Sequence, residues 1–286
     1  MFRAFLVAMG CFLVAGAAGA DVYVWRDTHG SMKYSADPPG PDARDTRRLR
    51  TTAGFSCAFA GSLADCGFQL QARARERASI EAIGRDGGRG LRLRTEPGDD
   101  HIAGSGAMER SDVYLSQADT GCYQGREQWW EHSILFPEDF AVPTWQMYVV
   151  FDFHGTGAGP QANFHVNFAP QADLMQPGNL IFRGYGGSAA NSWGEYKATI
   201  GQIRKNVWYD FAYHVKWSSG GDGFIEAWVD GVNKLSHRGP TLYAGQGCYL
   251  KLANYHTPVC NPYPGCTGPA SSVIYGRVSR QDVGGS

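Results

Sequence analysis

Titratable side chains occupy alternate positions in three segments that have the composition of β-strands. They are Arg110, Asp112 and Tyr114 in residues 108–114, Asp152 and His154 in residues 148–154, and Tyr249, Lys251 and Tyr255 in residues 249–255. Because alternate side chains of a strand point to the same side of a sheet, each set lies on one face. Cations, carboxylates, an imidazole and phenols on several strands of one sheet form a groove suited to binding a chain of sugars and to proton transfer. Taken singly, the same residues also fit structural roles, such as a cross-strand ion pair between Arg110 and Asp112.

A further histidine lies in a segment with the same two-residue period. In residues 162–168 the apolar positions are Phe164, Val166 and Phe168, and the polar positions between them are Asn163, His165 and Asn167. One face of this strand therefore packs in the core, and the other meets solvent or ligand. We predict that His165 contributes to the groove; the alternative is a histidine that only forms hydrogen bonds within the sheet.

The rest of the pattern predicts a protein made almost entirely of β-strands. From Leu91 onward, short segments rich in Phe, Tyr, Trp and Val are separated by turns that contain Gly, Pro and Asp. The tetrapeptide Val-Asp-Gly-Val at residues 229–232 is a strong hairpin signal. These features predict two stacked antiparallel sheets. The one predicted helix spans residues 71–83, a stretch that also fits a strand.

The N-terminal part of the chain divides into short segments ahead of the main domain. Residues 1–20 contain an apolar stretch and end in Ala-Gly-Ala, which is typical of a signal peptide. Residues 21–41 predict a β-hairpin; with their Tyr-x-Trp-x-Asp and Tyr-Ser-x-x-Pro-Pro elements they resemble a module of unknown function common in exported bacterial proteins. A charged linker over residues 42–55 and a main domain over residues 56–286 complete the prediction. We therefore expect a periplasmic or extracellular location.

Six cysteines follow the predicted signal peptide, an even number that predicts disulfides in an exported chain. Six cysteines allow fifteen full pairings, and the sequence alone does not choose among them. The set that closeness along the chain favours is Cys57–Cys66, Cys260–Cys266 and, from what remains, Cys122–Cys248. No Cys-x-x-Cys spacing occurs, so zinc binding is not predicted.

Charge and composition limit the kinds of partner that the protein is expected to bind. A net charge of −1 at pH 7 argues against a dedicated nucleic-acid-binding protein, which needs a basic excess. Arginines cluster between residues 44 and 94, either as a solvated surface or as a patch that attracts a polyanion. No later segment approaches the ~20 apolar residues of a membrane span. We predict a monomer without a cofactor, although a structural calcium ion held by loop oxygens would leave no clear signal.

Six segments in the second two thirds of the chain carry a recognisable pattern when they are taken in order. They are 109–113 (Glu-Arg-Ser-Asp-Val), 129–140 (Trp-Trp-Glu-His-Ser-Ile-Leu-Phe-Pro-Glu-Asp-Phe), 151–154 (Phe-Asp-Phe-His), 208–217 (Trp-Tyr-Asp-Phe-Ala-Tyr-His-Val-Lys-Trp), 223–231 (Gly-Phe-Ile-Glu-Ala-Trp-Val-Asp-Gly) and 249–255 (Tyr-Leu-Lys-Leu-Ala-Asn-Tyr). The set resembles polysaccharide lyases of the heparin lyase I and glucuronan lyase type. Each segment is a weak signal alone, but the ordered set is fairly specific.

The resemblance implies a concanavalin-like β-jelly-roll that cleaves an acidic, uronic-acid-containing polysaccharide by β-elimination. The reaction removes a weakly acidic C5 proton next to a carboxylate. The site must therefore neutralise that carboxylate, supply a base and protonate the departing oxygen. Arg110 and Lys251 suit the first task. By family position His154 and Tyr255 are the catalytic candidates, and Tyr255 is able both to protonate the leaving oxygen and to take the C5 proton.

Asp152 departs from the family pattern, which usually carries Gln two residues before the His. A carboxylate at this position repels a uronate unless it is protonated or paired with Arg110 or Lys251. Alternatively, the substrate differs, or Asp152 orients and charges His154. We assign Arg110, Asp152, His165 and Lys251 to substrate binding.

Two other functions fit the same sandwich. A glycoside hydrolase needs two carboxylates about 5–5.5 Å or 6.5–9.5 Å apart, and Asp152 with Glu131, Glu195 or Glu226 supplies candidate pairs. A lectin-like protein binds sugars without turnover, and Asp152 at the usual Gln position is the best argument for it.

Overall fold

Nearly all regular structure in the computed structural model of the protein is β-strand. The structure describes residues 21–100, 108–143, 148–157, 162–168, 178–188, 195–256 and 269–284. The strands within these ranges are β1 (Asp21–Arg26), β2 (Met32–Ser35), β3 (Arg44–Cys57), β4 (Gln69–Ala72), β5 (Ala78–Glu81), β6 (Gly90–Thr95), β7 (Glu109–Tyr114), β8 (Glu127–Leu135), β9 (Tyr148–Gly155), β10 (Ala162–Phe168), β11 (Asn179–Gly184), β12 (Tyr196–Gln202), β13 (Trp208–Lys216), β14 (Phe224–Val229), β15 (Val232–Arg238), β16 (Cys248–His256) and β17 (Ser271–Val283). One short helix, α1 (Gln117–Thr120), and 3-10 turns at Ala64–Cys66, Arg75–Arg77 and Arg85–Gly87 accompany them. The all-β prediction is confirmed.

The strands form two antiparallel sheets. The front sheet has the order β12-β11-β10-β9-β16-β7-β4. The back sheet follows the path β15-β14-β13-β8-β17-β3-β1-β2, and β6 with β5 branches from β17. From β9 to β4 the neighbouring strands of the front sheet come from distant parts of the chain, so the sheet itself brings the predicted site segments on β7, β9 and β16 side by side.

Aromatic side chains from both sheets fill the core between them. Phe151 of the front sheet stacks on Tyr213 of the back sheet with ring centroids 5.2 Å apart, and Phe153 meets Trp130 edge to face at 5.5 Å. The ring of His132 lies between these layers, 4.3 Å from that of Phe151, and burial lowers its pKa to about 3. This histidine is neutral and belongs to the core.

The predicted alternation along strands is present in the structure. Phe164, Val166 and Phe168 of β10 all belong to the core. The hairpin signal at residues 229–232 is also confirmed, because β14 and β15 pair across Asp230 and Gly231. Both residues have positive φ, 50° and 73°, as a type I′ turn requires.

The helix predicted for residues 71–83 is wrong. This stretch contains the end of β4, the turn Arg75–Arg77 and the strand β5. Leu70 pairs with Val113 across β4 and β7, and Ile80 pairs with Leu91 across β5 and β6. Pairing with strands of both sheets therefore overrides the local preference for a helix.

The predicted N-terminal hairpin is confirmed. Strands β1 and β2 pair from Tyr23 opposite Ser35 to Arg26 opposite Met32. The Asp27 carboxylate accepts hydrogen bonds from the amides of His29 and Ser31, each at 2.9 Å, which fixes the turn between the strands.

The charged segment after the hairpin forms strand β3 across most of the predicted linker. Its first half pairs with β1, and its second half pairs with β17, so the hairpin extends the back sheet. The sheet then curls over its own outer side, which is the side that faces away from the front sheet. A second cluster of apolar side chains is enclosed there: Val22, Val24, Met32, Tyr34 and Leu49 against Trp129, Ala212 and Trp228. The boundaries predicted for the domains remain predictions.

A group of charged residues lies beside this second cluster. The buried Glu226 carboxylate accepts hydrogen bonds from Arg47 of β3 and from Arg238, both at 3.1 Å. His214 lies 2.7 Å from Glu127 and 3.5 Å from Glu226. Burial lowers the pKa of His214, but the two carboxylates outweigh it and the pKa is raised. Arg47 thus ties β3 to β14.

Two disulfides join the described parts of the chain as predicted. Cys57 bonds to Cys66, and Cys122 bonds to Cys248 across 126 residues. The predicted Cys260–Cys266 bond and the predicted signal peptide at residues 1–20 lie outside the described residues. Among the described residues, no helix is long and apolar enough to cross a membrane.

Candidate active site

Alternation on three neighbouring strands builds a polar face on the front sheet. The core side of these strands carries Val113, Phe151, Phe153, Leu250 and Leu252. The positions between them carry Arg110 and Asp112 on β7, Asp152 and His154 on β9, and Lys251, with Tyr249 and Tyr255, on β16. We call the side of the front sheet that bears these residues the polar face. It holds every residue that the sequence assigned to the site on these three strands.

Asp112 is the anionic centre of the polar face. Its carboxylate lies 3.1 Å from Nε of Arg110 and 3.3 Å from Nζ of Lys251. It also accepts a hydrogen bond from the backbone N–H of Asn254 at 3.2 Å. Its side chain is 1% exposed. Burial raises the pKa of Asp112, and the two cations oppose this shift. With two cations and an amide as partners, Asp112 is the carboxyl of this region that stays charged.

Asp152 occupies the middle of the polar face without an ion-pair partner among the described residues. It lies opposite Lys251 on β16 and opposite His165 on β10, and it is 7% exposed. Its Oδ1 atom accepts no hydrogen bond from the described residues. Burial raises the pKa of Asp152 to about 7; Lys251 opposes the shift and the charge on Asp112 adds to it.

His154 presents a neutral imidazole. Its Nδ1 lies 3.1 Å from the carbonyl oxygen of Gly155, so Nδ1 carries the proton and Nε2 keeps its lone pair. Burial, with a smaller contribution from the nearby cations Lys251 and Arg110, lowers the pKa of His154 to about 4. The ring is 5.0 Å from that of Tyr249, its partner across β9 and β16.

Tyr255 is held by Arg110. The guanidinium carbon of Arg110 lies 4.3 Å from the centre of the Tyr255 ring. Burial raises the pKa of this phenol, and Arg110 opposes the shift. By contrast, burial and the charge of Asp152 raise the pKa of Tyr249 to about 12. The two tyrosines on this strand therefore differ in how readily they form a phenolate.

The strand register does not put His154 beside Tyr255. His154 pairs with Tyr249, whereas Tyr255 pairs with Val149 and Arg110. Six residues along a strand correspond to roughly 20 Å between Cα atoms. The structure thus brings Arg110 together with Tyr255, and it brings His154 together with Tyr249. Asp152 and Lys251 form the next pair along β9 and β16 on the same face as His154 and Tyr249.

His165 extends the polar face by one strand. It is opposite Asp152 on one side and Arg183 of β11 on the other, and it is 6% exposed. Burial, followed by the charge of Arg183, lowers its pKa to about 3. Arg183 is ion-paired with Glu195 at 3.1 Å. Sequence reasoning missed Arg183, although it alternates with the core residue Phe182 and carried the same two-residue signal.

A cavity of about 440 Å³ opens at the β4 and β7 end of the polar face. Tyr114 and Tyr249 line it with their rings 6.0 Å apart, together with Gln71 and Gln117. Tyr114 donates a hydrogen bond to Gln69 at 2.8 Å. Aromatic faces and amides in one cavity are the groups that bind sugar rings and hydroxyls.

The carboxylate pairs considered for a hydrolase do not face each other. Glu131 lies opposite Ala212, and Glu226 is bound by Arg47, so both lie on the outer side of the back sheet. Asp152 lies on the other outer side of a sandwich whose sheets are about 10 Å apart. Glu195 precedes β12, three strands from β9, which corresponds to roughly 14 Å.

No group of three or more His, Cys, Asp or Glu side chains among the described residues has the arrangement of a metal site.

The family model for polysaccharide lyases matches residues 62–275, and that for a domain of unknown function, DUF4124, matches residues 9–54. No curated protein sequence matches the chain. An endo-β-1,4-glucuronan lyase from the fungus Trichoderma reesei has a TM-score of 0.59 at 17% identity, covering 80% of this chain and 95% of that one.

Two alginate lyases share the fold as well. Aly36B has a TM-score of 0.51 at 17% identity, with 80% of this chain and 92% of that chain covered. AlgAT5, from polysaccharide lyase family 7, has a TM-score of 0.50 at 11% identity, with 92% and 94% covered. These likenesses establish the sandwich fold, and the family model spans well over half of the sequence. The chain belongs to the polysaccharide lyase family of carbon–oxygen lyases.

Proposed function

We propose that the protein is exported and cleaves a uronic-acid-containing polysaccharide by β-elimination. The observation that supports this most directly is the polar face, on which two cations, two buried carboxyls, an imidazole and phenols share one side of the front sheet. Solved structures that share the fold include lyases named for glucuronan and alginate. An acidic polymer also suits a site that holds Arg110 and Lys251 together.

Arg110 and Lys251 neutralise the substrate carboxylate in this proposal. Removing the C5 proton places negative charge on the carboxylate group next to it, and fixed cations stabilise that charge in the transition state. Both side chains are already positioned by Asp112, at 3.1 and 3.3 Å. Little reorganisation is then needed when the substrate arrives.

Tyr255 performs both proton transfers at the scissile bond. Its phenolate takes the C5 proton, the electrons of the C5–H bond form the C4–C5 double bond, and the C4–O bond breaks. The resulting phenol gives the proton to the departing oxygen, so the phenolate is regenerated. Arg110, 4.3 Å from the ring centre, favours the phenolate.

His154 is the second catalytic candidate from the sequence, and the register favours a role next to the scissile bond rather than at it. Its neutral imidazole, with a free lone pair on Nε2, lies beside Tyr249 and in the row next to Lys251. We assign it, with His165, to holding the sugars that adjoin the reacting unit, and we assign Asp152, which lies opposite Lys251, to binding the substrate carboxylate.

The alternatives receive less support from the same residues. A hydrolase lacks a facing pair among the candidate carboxylates, and Asp112 is fully occupied by Arg110 and Lys251. A lectin-like protein does not require a cation stacked on a phenol. Export is supported by the apolar N-terminal segment and by the two disulfides among the described residues, because disulfides persist in oxidising compartments.

The test is a screen of the full-length mature protein against glucuronan, alginate and heparin-type polymers. We expect chain cleavage with unsaturated ends that absorb ultraviolet light, and loss of that signal in Tyr255→Phe. Shortened chains without the absorbance would indicate hydrolysis. Saccharide binding without any shortening on these polymers would instead support the lectin-like alternative.

A further inference from the structure

Asp152 is a buried carboxyl that the described structure leaves without a counter-ion. It is 7% exposed, and its Oδ1 has no hydrogen-bond partner among the described residues. A carboxylate in such a place has lost most of its hydration without gaining a cation or a donor. This arrangement favours the protonated form.

The cations nearest to Asp152 are engaged by another carboxylate. Lys251 lies directly opposite on β16, but its ammonium group donates to Asp112 at 3.3 Å. Arg110 of β7 is 3.1 Å from the same carboxylate. Asp112 is therefore the counter-ion of both cations. A charged Asp152 would compete with Asp112 for the same two positive charges.

The other titratable groups around Asp152 bring no positive charge. Those facing it are Tyr249 on β16, His165 on β10 and His154 on its own strand, in addition to Lys251, Asp112 and Arg110. Burial keeps both histidines neutral at neutral pH, with pKa values of about 4 for His154 and about 3 for His165. The tyrosine is neutral there as well, because burial raises its pKa to about 12.

The balance of charge on the polar face then depends on Asp152. With Asp112 charged and both Asp152 and the Tyr255 phenol protonated, Arg110 and Lys251 leave one positive charge in excess. With both carboxyls charged, the cluster has no net charge. Only the first state matches one uronate unit, which carries a single carboxylate.

We infer that a negative charge on Asp152 and a bound uronate carboxylate exclude each other, so that the protein binds its substrate with Asp152 protonated. This rests on the proposed function, because it requires a uronate on the polar face. In this state the Asp152 hydroxyl also donates a hydrogen bond to the substrate carboxylate, as a neutral amide would at the same position. Asp152 is thus a specificity residue that couples substrate binding to proton uptake.

The pKa of Asp152, which is about 7 against 3.8 for a free side chain, sets the pH range. The carboxyl keeps its proton as the pH rises from 4 to near 7 and loses it above that. Above pH 7, binding must therefore take up a proton. The apparent dissociation constant then rises by about tenfold per pH unit, in proportion to the falling fraction of the competent form.

Calorimetry tests the coupling directly. The trisaccharides of β-1,4-linked glucuronate and of mannuronate are titrated at pH 6 and pH 8 into Tyr255→Phe, a variant that leaves the ligand intact. Two buffers of different ionisation enthalpy report the protons exchanged. We expect uptake close to one proton at pH 8 and much less at pH 6, and no uptake when Asp152→Asn is added.

A matched control is Asp222→Asn in the same background, because Asp222 is an exposed partner of Lys216 on the back sheet. It should leave proton uptake unchanged. Binding at pH 8 without proton uptake would overturn this inference alone. No binding of either trisaccharide at pH 6 would count against the proposed function and this inference together.

A second measurement needs no ligand. Carbon-13 NMR of aspartate carboxyl groups should show one resonance that titrates near pH 7 and disappears in Asp152→Asn. If the resonance lost in that variant titrates near pH 4 instead, Asp152 is charged before the substrate binds and the inference is wrong.

Discussion

Replacing Tyr255 with Phe tests where the chemistry occurs. The change removes one hydroxyl and keeps the ring on which Arg110 rests 4.3 Å away, so the fold of the polar face should persist. General acid–base catalysis is typically worth about 10²–10⁴-fold. We therefore expect kcat to fall by that factor, which corresponds to an increase of about 3–5 kcal/mol in the barrier. The measurement is the initial rate of ultraviolet absorbance from unsaturated ends, at saturating polymer.

Tyr249→Phe is the matched control, since the same atom is removed from the same face of the same strand. Its pKa of about 12 makes it a poor proton shuttle, and we expect less than a tenfold fall in kcat. A larger loss in Tyr249→Phe than in Tyr255→Phe would locate the reaction at the His154–Tyr249 pair. A loss in His154→Gln as large as that in Tyr255→Phe would make the imidazole the base. Either result would refute the assignment based on register.

Three further predictions concern stability. Replacing both Cys122 and Cys248 with Ser opens a loop of 126 residues and should lower the free energy of unfolding by about 5 kcal/mol, measured by denaturant titration; a loss under 1 kcal/mol would contradict it. Trp228→Ala should lower the free energy of unfolding by about 3–5 kcal/mol in the same assay, because the side chain is fully buried under the N-terminal hairpin. An unchanged midpoint would show that the hairpin does not depend on this contact. His214 has a raised pKa, so its stabilising contribution is complete below pH 6.5 and disappears as the pH rises through the folded-state value; unfolding followed from pH 6 to 9 should show this slope in the wild type and not in His214→Gln.

The sequence predicted the faces of the strands more reliably than the relations between them. Asp152 and His154 alternate with Phe151 and Phe153, and the two-residue period of a strand is enough to place them on one side. For the same reason His165 was assigned to the correct face from its own segment. Alternation is a local property, so no knowledge of the neighbouring strand is needed.

The register between strands could not be read from the chain. Whether His154 lies opposite Tyr249 or Tyr255 depends on how β9 and β16 slide past each other, and roughly a hundred residues separate them in sequence. The same limit explains the wrong helix at residues 71–83, where pairing with β7 and β6 decides the structure. Local patterns specify faces, whereas non-local pairing specifies neighbours.

The two buried carboxyls determine the net charge of the polar face. Arg110 and Lys251 repel each other, and the carboxylate of Asp112 between them offsets this repulsion. A second permanent anion would neutralise the site and weaken its attraction for a uronate. Asp152 avoids this only because burial without a partner favours its neutral form. Two residues of the same type thus have opposite roles: the carboxylate of Asp112 holds the cations as an ion, and the carboxyl of Asp152 leaves them available by staying protonated.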